Sequence, residues 1–349
     1  MVNEAYMHRC LQLALNGAGR VAPNPLVGAV LVHGERILAE GWHRAVGGPH
    51  AEVECLHAFG DGPVPADAYL YVNLEPCAHH GRTPPCADLL IARHVRHVVI
   101  GCTDPNPLVA GKGIERLRNA GVNVEVDVLK DECRWINRRF ITAFEQQRPY
   151  VVLKWARSAD GFMDDHGRTT RISSPATDVL VHRWRAEEQA ILVGSRTALA
   201  DDPALTVRHV AGRQPLRVVL DRGRILPDTL RVLTSEAPTL LFSAAPRPDL
   251  TSVEQCILPA EAEPIPFLLA ELHRRQVRSV LVEGGAELLA HFLASGHWEE
   301  ARVITGAAVL RGGTPAPHID PPPVRTFAVG PDRIDLYTHA HPVPDTWSW

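Results

Sequence analysis

Three potential metal ligands and one extra carboxylate lie close together in the first hundred residues. His50 and Glu52 belong to the triplet His-Ala-Glu, and Cys77 and Cys86 enclose a segment rich in proline and histidine. A catalytic zinc site uses three nitrogen or sulfur ligands and leaves one coordination position for water. The residue types predict that His50, Cys77 and Cys86 bind one Zn²⁺ per chain and that Glu52 does not bind the metal.

Such a site is suited to hydrolysing an amino group from a nucleobase ring. Zinc lowers the pKa of a bound water, and a nearby free carboxylate can carry a proton from that water to the ring nitrogen and to the leaving ammonia. Glu52 is therefore the predicted acid/base residue. The alternative is a structural zinc site, which needs a fourth ligand such as His79 or His80 and leaves Glu52 without a role.

The predicted secondary structure places these residues at the ends of elements. Alternating apolar residues predict a strand over 68–74, so Cys77 lies in the loop that follows. Cys86 follows two prolines, and His50 follows Gly-Gly-Pro, both at predicted helix starts. Residues i and i+2 do not share a helix face, so His50 and Glu52 can converge only in an irregular first turn.

The wider pattern resembles a known family. The segment from Glu75 to Cys86 reads Glu-Pro-Cys-x-His-x-Gly-Arg-Thr-Pro-Pro-Cys, with a longer cysteine spacing than the Cys-x-x-Cys of most base deaminases. Together with Pro23-Asn24-Pro25-Leu-Val-Gly28, Gly48-Pro-His-Ala-Glu52 and Asp104-Pro-Asn106-Pro-Leu-Val-Ala-Gly111, it resembles the bifunctional deaminase/reductase of riboflavin biosynthesis. The resemblance covers nearly the whole chain. It implies substrate contacts from Asn24, His43, His79, Asp104 and Asn106, although His43 and His79 could instead be surface histidines or support a metal ligand.

The length of 349 residues and the helix–strand alternation predict two α/β domains, 1–148 and 149–349. Strands are expected over 28–32, 69–74, 95–101 and 122–128 in the first, and over 150–155, 190–194, 216–220, 239–242 and 279–282 in the second. The first pattern predicts a three-layer domain. The resemblance implies a cytidine-deaminase-like fold for the first domain and a dihydrofolate-reductase-like fold for the second.

Composition excludes several classes of protein. A net charge of −4 without a basic stripe argues against a nucleic-acid partner. No apolar segment is long enough for a membrane span or resembles a signal peptide, which predicts a cytoplasmic protein. The seven cysteines form no disulfide pattern, and the five outside the zinc site should be reduced and buried: Cys10, Cys55, Cys102, Cys133 and Cys256. The resemblance also implies a homo-oligomer.

The second half contains a strand, a glycine turn and a helix from Val280 onward, a pattern whose helix N-terminus suits a phosphate. The segment from Val181 to Arg208 resembles the reductase module of the same family, and Arg185 and Arg208 could grip a substrate phosphate. Arg171 lies at a position where members of that family usually have an aromatic residue. Its guanidinium could stack on the cofactor or bind a phosphate instead. The resemblance implies substrate contacts from Thr169, Arg185, Leu205, Arg208 and Glu283, and NADPH contacts from Ala156, Arg171, Thr197, Asp201 and Gly285.

The function implied by the resemblance has two steps. The first is zinc-dependent hydrolysis of the 2-amino group of 2,5-diamino-6-ribosylamino-4(3H)-pyrimidinone 5′-phosphate, and the second is NADPH-dependent reduction of the ribosyl group to ribityl. The sequence offers no clear proton donor for the reduction. Three alternatives remain at this point: a nucleic-acid base deaminase, a non-catalytic zinc-organised binding protein, and a chain in which only one activity is live.

Overall fold

The computed structural model describes residues 2–78, 84–339 and 343–344. The chain divides into two compact units, with the division between Gln146 and Gln147. Each unit contains its own β-sheet and its own apolar core.

The first unit is built on a five-stranded sheet of order β2-β1-β3-β4-β5. Strands β3, β4 and β5 are parallel, and β1 runs antiparallel to both of its neighbours. The strands are β1 (Gly28–His33), β2 (Arg36–Trp42), β3 (Tyr69–Leu74), β4 (His97–Cys102) and β5 (Asn123–Glu125). The helices are α1 (Glu4–Leu15), α2 (Ala51–Phe59), α3 (Cys86–Ala92), α4 (Lys112–Asn119), α5 (Lys130–Ile136) and α6 (Arg138–Glu145).

Helices cover both faces of this sheet. Leu70 and Val72 of β3 pack in one core with α2, α3 and α4, whereas Tyr71 between them packs in a second core with α1, α5 and α6. Successive side chains of a strand point to opposite faces, so each strand supplies both cores. The result is a three-layer arrangement, as the sequence predicts.

One strand of this unit escapes prediction from sequence. Strand β2 lies at the sheet edge, and its first residues, Arg36 and Ile37, are exposed. It is joined to β1 by a tight turn in which Gly34 adopts a positive φ of 59°. An exposed edge strand carries a weaker apolar signal than a central one, which explains the omission.

The second unit contains a nine-stranded sheet of order β10-β9-β8-β7-β11-β6-β12-β14-β13. It is parallel from β10 to β12, and β14 and β13 complete it in antiparallel pairing. Its strands are β6 (Tyr150–Arg157), β7 (Ala190–Gly194), β8 (Leu216–Asp221), β9 (Thr239–Ser243), β10 (Glu254–Ile257), β11 (Ser279–Val282), β12 (Glu300–Thr305), β13 (Arg325–Val329) and β14 (Asp332–Thr338). Its helices are α7 (Pro175–Glu187), α8 (Ser195–Asp201), α9 (Pro264–Arg274) and α10 (Ala286–Ser295), with a 3₁₀ turn at Arg231–Leu233.

The central strands β7 and β11 are short runs that are mainly apolar and are buried except at Gly194, as parallel strands covered on both faces require. Helices α9 and α10 pack against one face of them. The predicted strands β6, β7, β8, β9 and β11 are all present, whereas β10, β12, β13 and β14 were not predicted. Strand β12 contains the buried charges Glu300 and Arg302, which are joined by an ion pair of 2.9 Å, so its residues do not form an apolar run.

All seven cysteines lie within the described residues, and none of them forms a disulfide. Cys10, Cys55, Cys102 and Cys133 are buried as predicted, whereas Cys256 is only half-buried. This departure has a local cause, because Cys256 lies on the edge strand β10. No helix in the described part of the chain is long and apolar enough to cross a membrane.

Candidate active sites

The predicted zinc ligands converge in the first unit. His50 is the residue before α2, Cys77 lies in the loop after β3, and Cys86 is the first residue of α3. The Nδ1 atom of His50 lies 3.3 Å from Cys86 Sγ and 3.6 Å from Cys77 Sγ, and all three atoms lie within 4.8 Å of one another. Zinc bonds of ordinary length at a tetrahedral angle separate a nitrogen and a sulfur ligand by about 3.6 Å. The donor set and its spacing therefore fit a zinc ion.

The electrostatics of the cluster favour a thiolate. Hydrogen bonds from Cys86 and His50 lower the pKa of Cys77 to about 4, against the opposing effect of burial. The hydrogen bond to Cys77 raises the pKa of His50 to about 9. A thiolate is the form in which cysteine binds metal, so the lowered pKa of Cys77 favours metal binding.

Glu52 reaches the same cluster from the first turn of α2. His50 has extended backbone angles, φ −73° and ψ 165°, so it lies outside the helix while Glu52 lies within it. This geometry meets the condition under which two residues at i and i+2 can converge. Glu52 is 3% exposed, burial raises its pKa to about 7, and its side chain hydrogen-bonds Cys86.

Asn24 and His43 form a pair beside the metal ligands. The Asn24 Nδ2 atom lies 3.1 Å from His43 Nε2, and His43 Nδ1 lies 2.9 Å from the carbonyl oxygen of Pro49. The His43 ring meets the His50 ring edge-on at 5.6 Å, and burial lowers the pKa of His43. His43 is thus buried against a ligand and is not a surface histidine. His79, the other histidine predicted here, lies outside the described residues, as does His80.

Asp104 and Asn106 lie in the loop after β4, which is parallel and adjacent to β3. The carboxyl ends of adjacent parallel strands meet at one edge of a sheet, so this loop lies beside the one that contains Cys77. Burial raises the pKa of Asp104 to about 6. The Asp104 carboxylate accepts a hydrogen bond from the Asn106 N–H at 2.8 Å.

Glu75 has a structural role that its place in the Glu-Pro-Cys segment does not predict. Its buried carboxylate accepts hydrogen bonds from the main-chain N–H groups of Asp104, Gly111, Gly113 and Ile114, at 2.9–3.2 Å. It therefore caps α4 and fixes the loop that contains Asp104. Gly113 is the sequence feature that indicates this close contact between the two segments. A Cβ atom at Gly113 would lie 1.9 Å from the Pro76 carbonyl oxygen, so no side chain fits there.

In the second unit, Glu283 forms the centre of a charged cluster. Arg185 binds it with two hydrogen bonds of 2.7 and 2.8 Å, and Lys154 Nζ lies 3.7 Å from the same carboxylate. Burial alone would raise the pKa of Glu283, but these two cations hold it at about 2. The sequence does not predict a role for Lys154, because a single lysine inside an apolar strand has no motif around it. Only the fold shows that it lies beside Glu283.

Leu205 and Arg208 lie on one loop beside this cluster. Leu205 is buried with a positive φ of 53°, and Arg208 is exposed with its Nη1 bound to Thr206 Oγ1 at 2.8 Å. The guanidinium of Arg185 also donates to the Thr206 carbonyl oxygen at 3.3 Å. Three of the Arg185 hydrogen bonds are therefore internal, which leaves Arg208 as the more available guanidinium for a phosphate.

The residues predicted to contact NADPH are brought together only in part. A Cβ atom at Gly285, the N-cap of α10, would lie 2.9 Å from Thr197 Oγ1, so these two residues meet. Thr169 donates to Asp201 Oδ1 at 2.7 Å, which joins a predicted substrate contact to a predicted cofactor contact. Arg171 instead pairs with Asp178 at 2.5 Å on an exposed surface. Ala156 lies on β6, paired in register with Ile304.

Comparisons with known proteins decide the family. Residues 149–331 match the family described as the RibD C-terminal domain. The chain is 38% identical to the riboflavin biosynthesis protein RibD of Aquifex aeolicus, over 89% of each protein. This chain belongs to the RibD family.

Other comparisons agree with membership of the RibD family. The chain is 40% identical to RibD of Bacillus amyloliquefaciens, over 91% of this chain and 88% of that protein. A deaminase/reductase structure from Thermotoga maritima superposes with a TM-score of 0.86 at 36% identity, covering 95% of this chain and 97% of that one. These matches confirm the predicted fold class, a cytidine-deaminase-like domain followed by a dihydrofolate-reductase-like domain.

The N-terminal part of this RibD family member has its own match. Residues 1–102 correspond to the cytidine and deoxycytidylate deaminase zinc-binding region. That range contains His50, Cys77 and Cys86, the only group of three or more potential metal ligands that converges among the described residues. The zinc site predicted from sequence thus coincides with the zinc-binding region of the matching family.

Proposed function

We propose that the N-terminal domain removes the 2-amino group of 2,5-diamino-6-ribosylamino-4(3H)-pyrimidinone 5′-phosphate and that the C-terminal domain reduces the product with NADPH. Membership of the RibD family makes the chain a bifunctional deaminase and reductase of riboflavin biosynthesis. The substrate, the order of the steps, the nicotinamide cofactor and the residue roles are the content of the proposal. The substrate is inferred from the Thermotoga relative, which is named as a diaminohydroxyphosphoribosylaminopyrimidine deaminase and 5-amino-6-(5-phosphoribosylamino)uracil reductase.

In the deaminase site, His50, Cys77 and Cys86 hold the metal. When bound, zinc supplies a water of lowered pKa. Glu52 takes a proton from the attacking water and delivers it to the ring nitrogen and then to the leaving ammonia. Asn24, Asp104 and Asn106 contact the pyrimidine, and His43 holds His50 and Asn24 in place.

In the reductase site, C1′ of the ribosyl group gains a hydride, the C1′–O4′ bond breaks and O4′ gains a proton. When bound, NADPH would supply that hydride. Lys154 is the proposed proton source, because this half-buried cation lies 3.7 Å from Glu283 and desolvation lowers its pKa. Glu283 orients the sugar chain, and Arg208 binds the 5′-phosphate. Thr197 and Gly285 lie at the N-terminus of α10, which suits a cofactor phosphate.

One observation supports the deaminase assignment most strongly. Glu52 lies in the same buried cluster as three potential zinc ligands, yet the ligand set is already complete for a catalytic site without it. A structural site would give this buried carboxylate no function. A cytoplasmic location and a homo-oligomeric assembly stay predictions from the sequence.

The two activities can be tested separately. Zinc-loaded protein given the diaminopyrimidine phosphate without NADPH should release ammonia. The same protein given the deaminated compound with NADPH should oxidise NADPH. Absence of ammonia would contradict the deaminase assignment, and absence of NADPH oxidation would leave a chain with only the first activity.

A further inference from the structure

In the loop that contains Leu205 and Arg208, the main-chain groups of three consecutive residues form hydrogen bonds with side chains from outside the loop. The Thr206 carbonyl oxygen accepts from Arg185 at 3.3 Å. Both main-chain groups of Val207 pair with the side-chain amide of Gln214, each at 2.8 Å. The Arg208 N–H donates to Nδ1 of His182 at 2.9 Å. Residues 204–208 lie outside the helices and strands, and no main-chain group of another described residue bonds to them, so these side chains replace the hydrogen bonds of regular structure.

The loop needs such support because its backbone is strained. Leu205 has a φ of 53°, in the left-handed region that bulky residues rarely adopt. Just before it, the Ala204 carbonyl oxygen accepts from the fully buried Arg217 at 3.4 Å. Strained conformations persist only where the surroundings fix them, and they concentrate at functional sites. The hydrogen bonds on both sides of Leu205 provide that constraint.

We propose that Gln214 and His182 are positioning residues for the reductase substrate, acting through the main chain of Val207 and Arg208. The inference rests on the proposed function, in which Leu205 and Arg208 contact the substrate. Gln214 forms a two-bond bridge like that of a neighbouring strand, and His182 fixes the next residue from α7. Arg185, one helical turn beyond His182, holds the same loop while binding Glu283. Helix α7 therefore aligns the Arg208 end of the site with the Glu283 end.

The neutral form of His182 is the one that can hold Arg208. Its Nδ1 atom accepts a hydrogen bond from the Arg208 N–H, so the proton of the neutral ring is on Nε2. The ring is buried and meets the His209 ring edge-on at 4.4 Å. An asparagine at this position can offer an amide oxygen to the same N–H, whereas a leucine cannot.

The chain contains a matched control for Gln214. Gln255 forms the same kind of two-bond bridge to the main chain of Arg247, with both hydrogen bonds at 2.8 Å, on the edge strand β10. A change from glutamine to leucine removes this two-bond bridge at either place, and at Gln255 it also removes a third hydrogen bond, of 3.1 Å, to the Leu250 carbonyl oxygen. Only the bridge at Gln214 holds a loop with predicted substrate contacts.

The experiment compares Gln214→Leu with Gln255→Leu, and His182→Leu with His182→Asn, in the full zinc-loaded chain. The probes are the deaminated pyrimidine phosphate with NADPH for reduction and the diamino compound for ammonia release. Gln214→Leu and His182→Leu should raise the reductase KM about tenfold while kcat stays within about twofold, as expected for lost substrate binding. Gln255→Leu and His182→Asn should leave that KM within about twofold of wild type. Ammonia release should be unchanged in all four.

Two results would overturn the inference while the proposed function stands. One is an unchanged KM in Gln214→Leu measured against an active wild type. The other is an equal loss of reductase activity in Gln214→Leu and Gln255→Leu, which would show a general effect on folding. A wild-type chain that oxidises no NADPH would overturn the proposed reductase function and this inference together.

Discussion

Two buried glutamates show how environment separates carboxylates of the same type. Glu52 lies among thiols, and burial raises its pKa to about 7. Glu283 is also fully buried, but Arg185 and Lys154 hold its pKa at about 2. Burial disfavours charge on both side chains, and the single cation His50 offsets this less at Glu52 than Arg185 and Lys154 do at Glu283. Glu52 is thus suited to exchange a proton, whereas Glu283 is a fixed anion.

Replacing Glu52 should separate catalysis from metal binding. Glu52→Gln keeps the size of the side chain but cannot accept the proton from water. We expect zinc content to stay the same and ammonia release to fall by about a hundredfold to ten-thousandfold, the usual contribution of acid/base catalysis. Metal analysis and an ammonia assay on one sample measure both. Loss of zinc in this variant would make Glu52 a ligand.

His182 should make stability depend on pH. Burial and the nearby charges of Arg185 and Arg208 lower its pKa to about 4, and His209 and Glu283 also face it. The unfolded value is about 6.5. The unfolded chain therefore binds more protons between pH 6.5 and pH 4, and the second unit loses stability as the pH falls through that range.

The variant His182→Asn should have a smaller fall in melting temperature between pH 6.5 and pH 4.5 than wild type. Measurement stops at pH 4.5 because Glu283, whose pKa is lowered on folding, begins to contribute below that value. Equal pH slopes for the two proteins would show that His182 is not the titrating group.

Individual residues were predictable from sequence where a motif identified them. The types and spacing of His50, Cys77 and Cys86 predict one metal site, and the structure brings these three residues together, whereas the catalytic role of Glu52 beside them stays a prediction. Lys154 was not predictable because its partner, Glu283, is distant in sequence. Gln214 was not predictable because it contacts only main-chain atoms of Val207, which no sequence motif indicates. Arg171 pairs with Asp178 in the structure, and its predicted contact with NADPH stays a prediction.

Among the elements, α4 depends on a cap from another segment. Its N-cap, Gly111, has no side chain to bind the exposed N–H groups, and Glu75 binds them instead. A carboxylate at a helix N-terminus is also favoured by the helix dipole. The strand end that leads to Cys77 is thereby tied to the loop that contains Asp104.

Glu75→Gln should loosen this connection. The amide oxygen can accept from one pair of N–H groups, but the amide NH₂ then faces the other pair. Leaving buried donors unsatisfied costs about 1–3 kcal/mol, so the amides of Gly111, Gly113 and Ile114 should exchange about tenfold to a hundredfold faster with deuterium. The deaminase KM should rise as well.

The matched control is Glu115→Gln, the same change at an exposed residue of α4. Hydrogen exchange followed by mass spectrometry compares the two variants. Equal protection of the 111–114 segment in both would contradict the capping role of Glu75.

Elements were predictable from sequence in proportion to their burial. The apolar strands β3, β6, β7 and β11 were expected, whereas β2 and β10 at the sheet edges were not. Strands β12 and β14 contain buried charges such as Arg302 and Asp335, which pair with Glu300 and Arg333 of the same strands. Periodicity of apolar residues cannot reveal strands of that kind.

At the scale of the whole molecule, the two units have separate sheets and separate predicted sites. The zinc ligands all belong to the first unit, and the Glu283 cluster belongs to the second. The division found between Gln146 and Gln147 lies near the predicted boundary at 148. One chain can therefore lose one activity and keep the other.

Removing zinc should affect only the first activity. A chelator should abolish ammonia release and leave NADPH oxidation of the deaminated compound unchanged, and added zinc should restore the loss. The half-buried thiol of Cys77 should become reactive to a thiol reagent after chelation, while the buried Cys10, Cys55, Cys102 and Cys133 stay protected. Loss of NADPH oxidation on chelation would contradict the separation.

The central claim is that deamination and reduction occur in that order on one chain. The most direct test gives wild type and Glu52→Gln the diaminopyrimidine phosphate with NADPH and follows ammonia and NADPH together. Wild type should release one ammonia for each NADPH oxidised, and Glu52→Gln should do neither until the deaminated compound is added, when NADPH oxidation should return to the wild-type rate. NADPH oxidation by Glu52→Gln without that addition would contradict the order of the two steps.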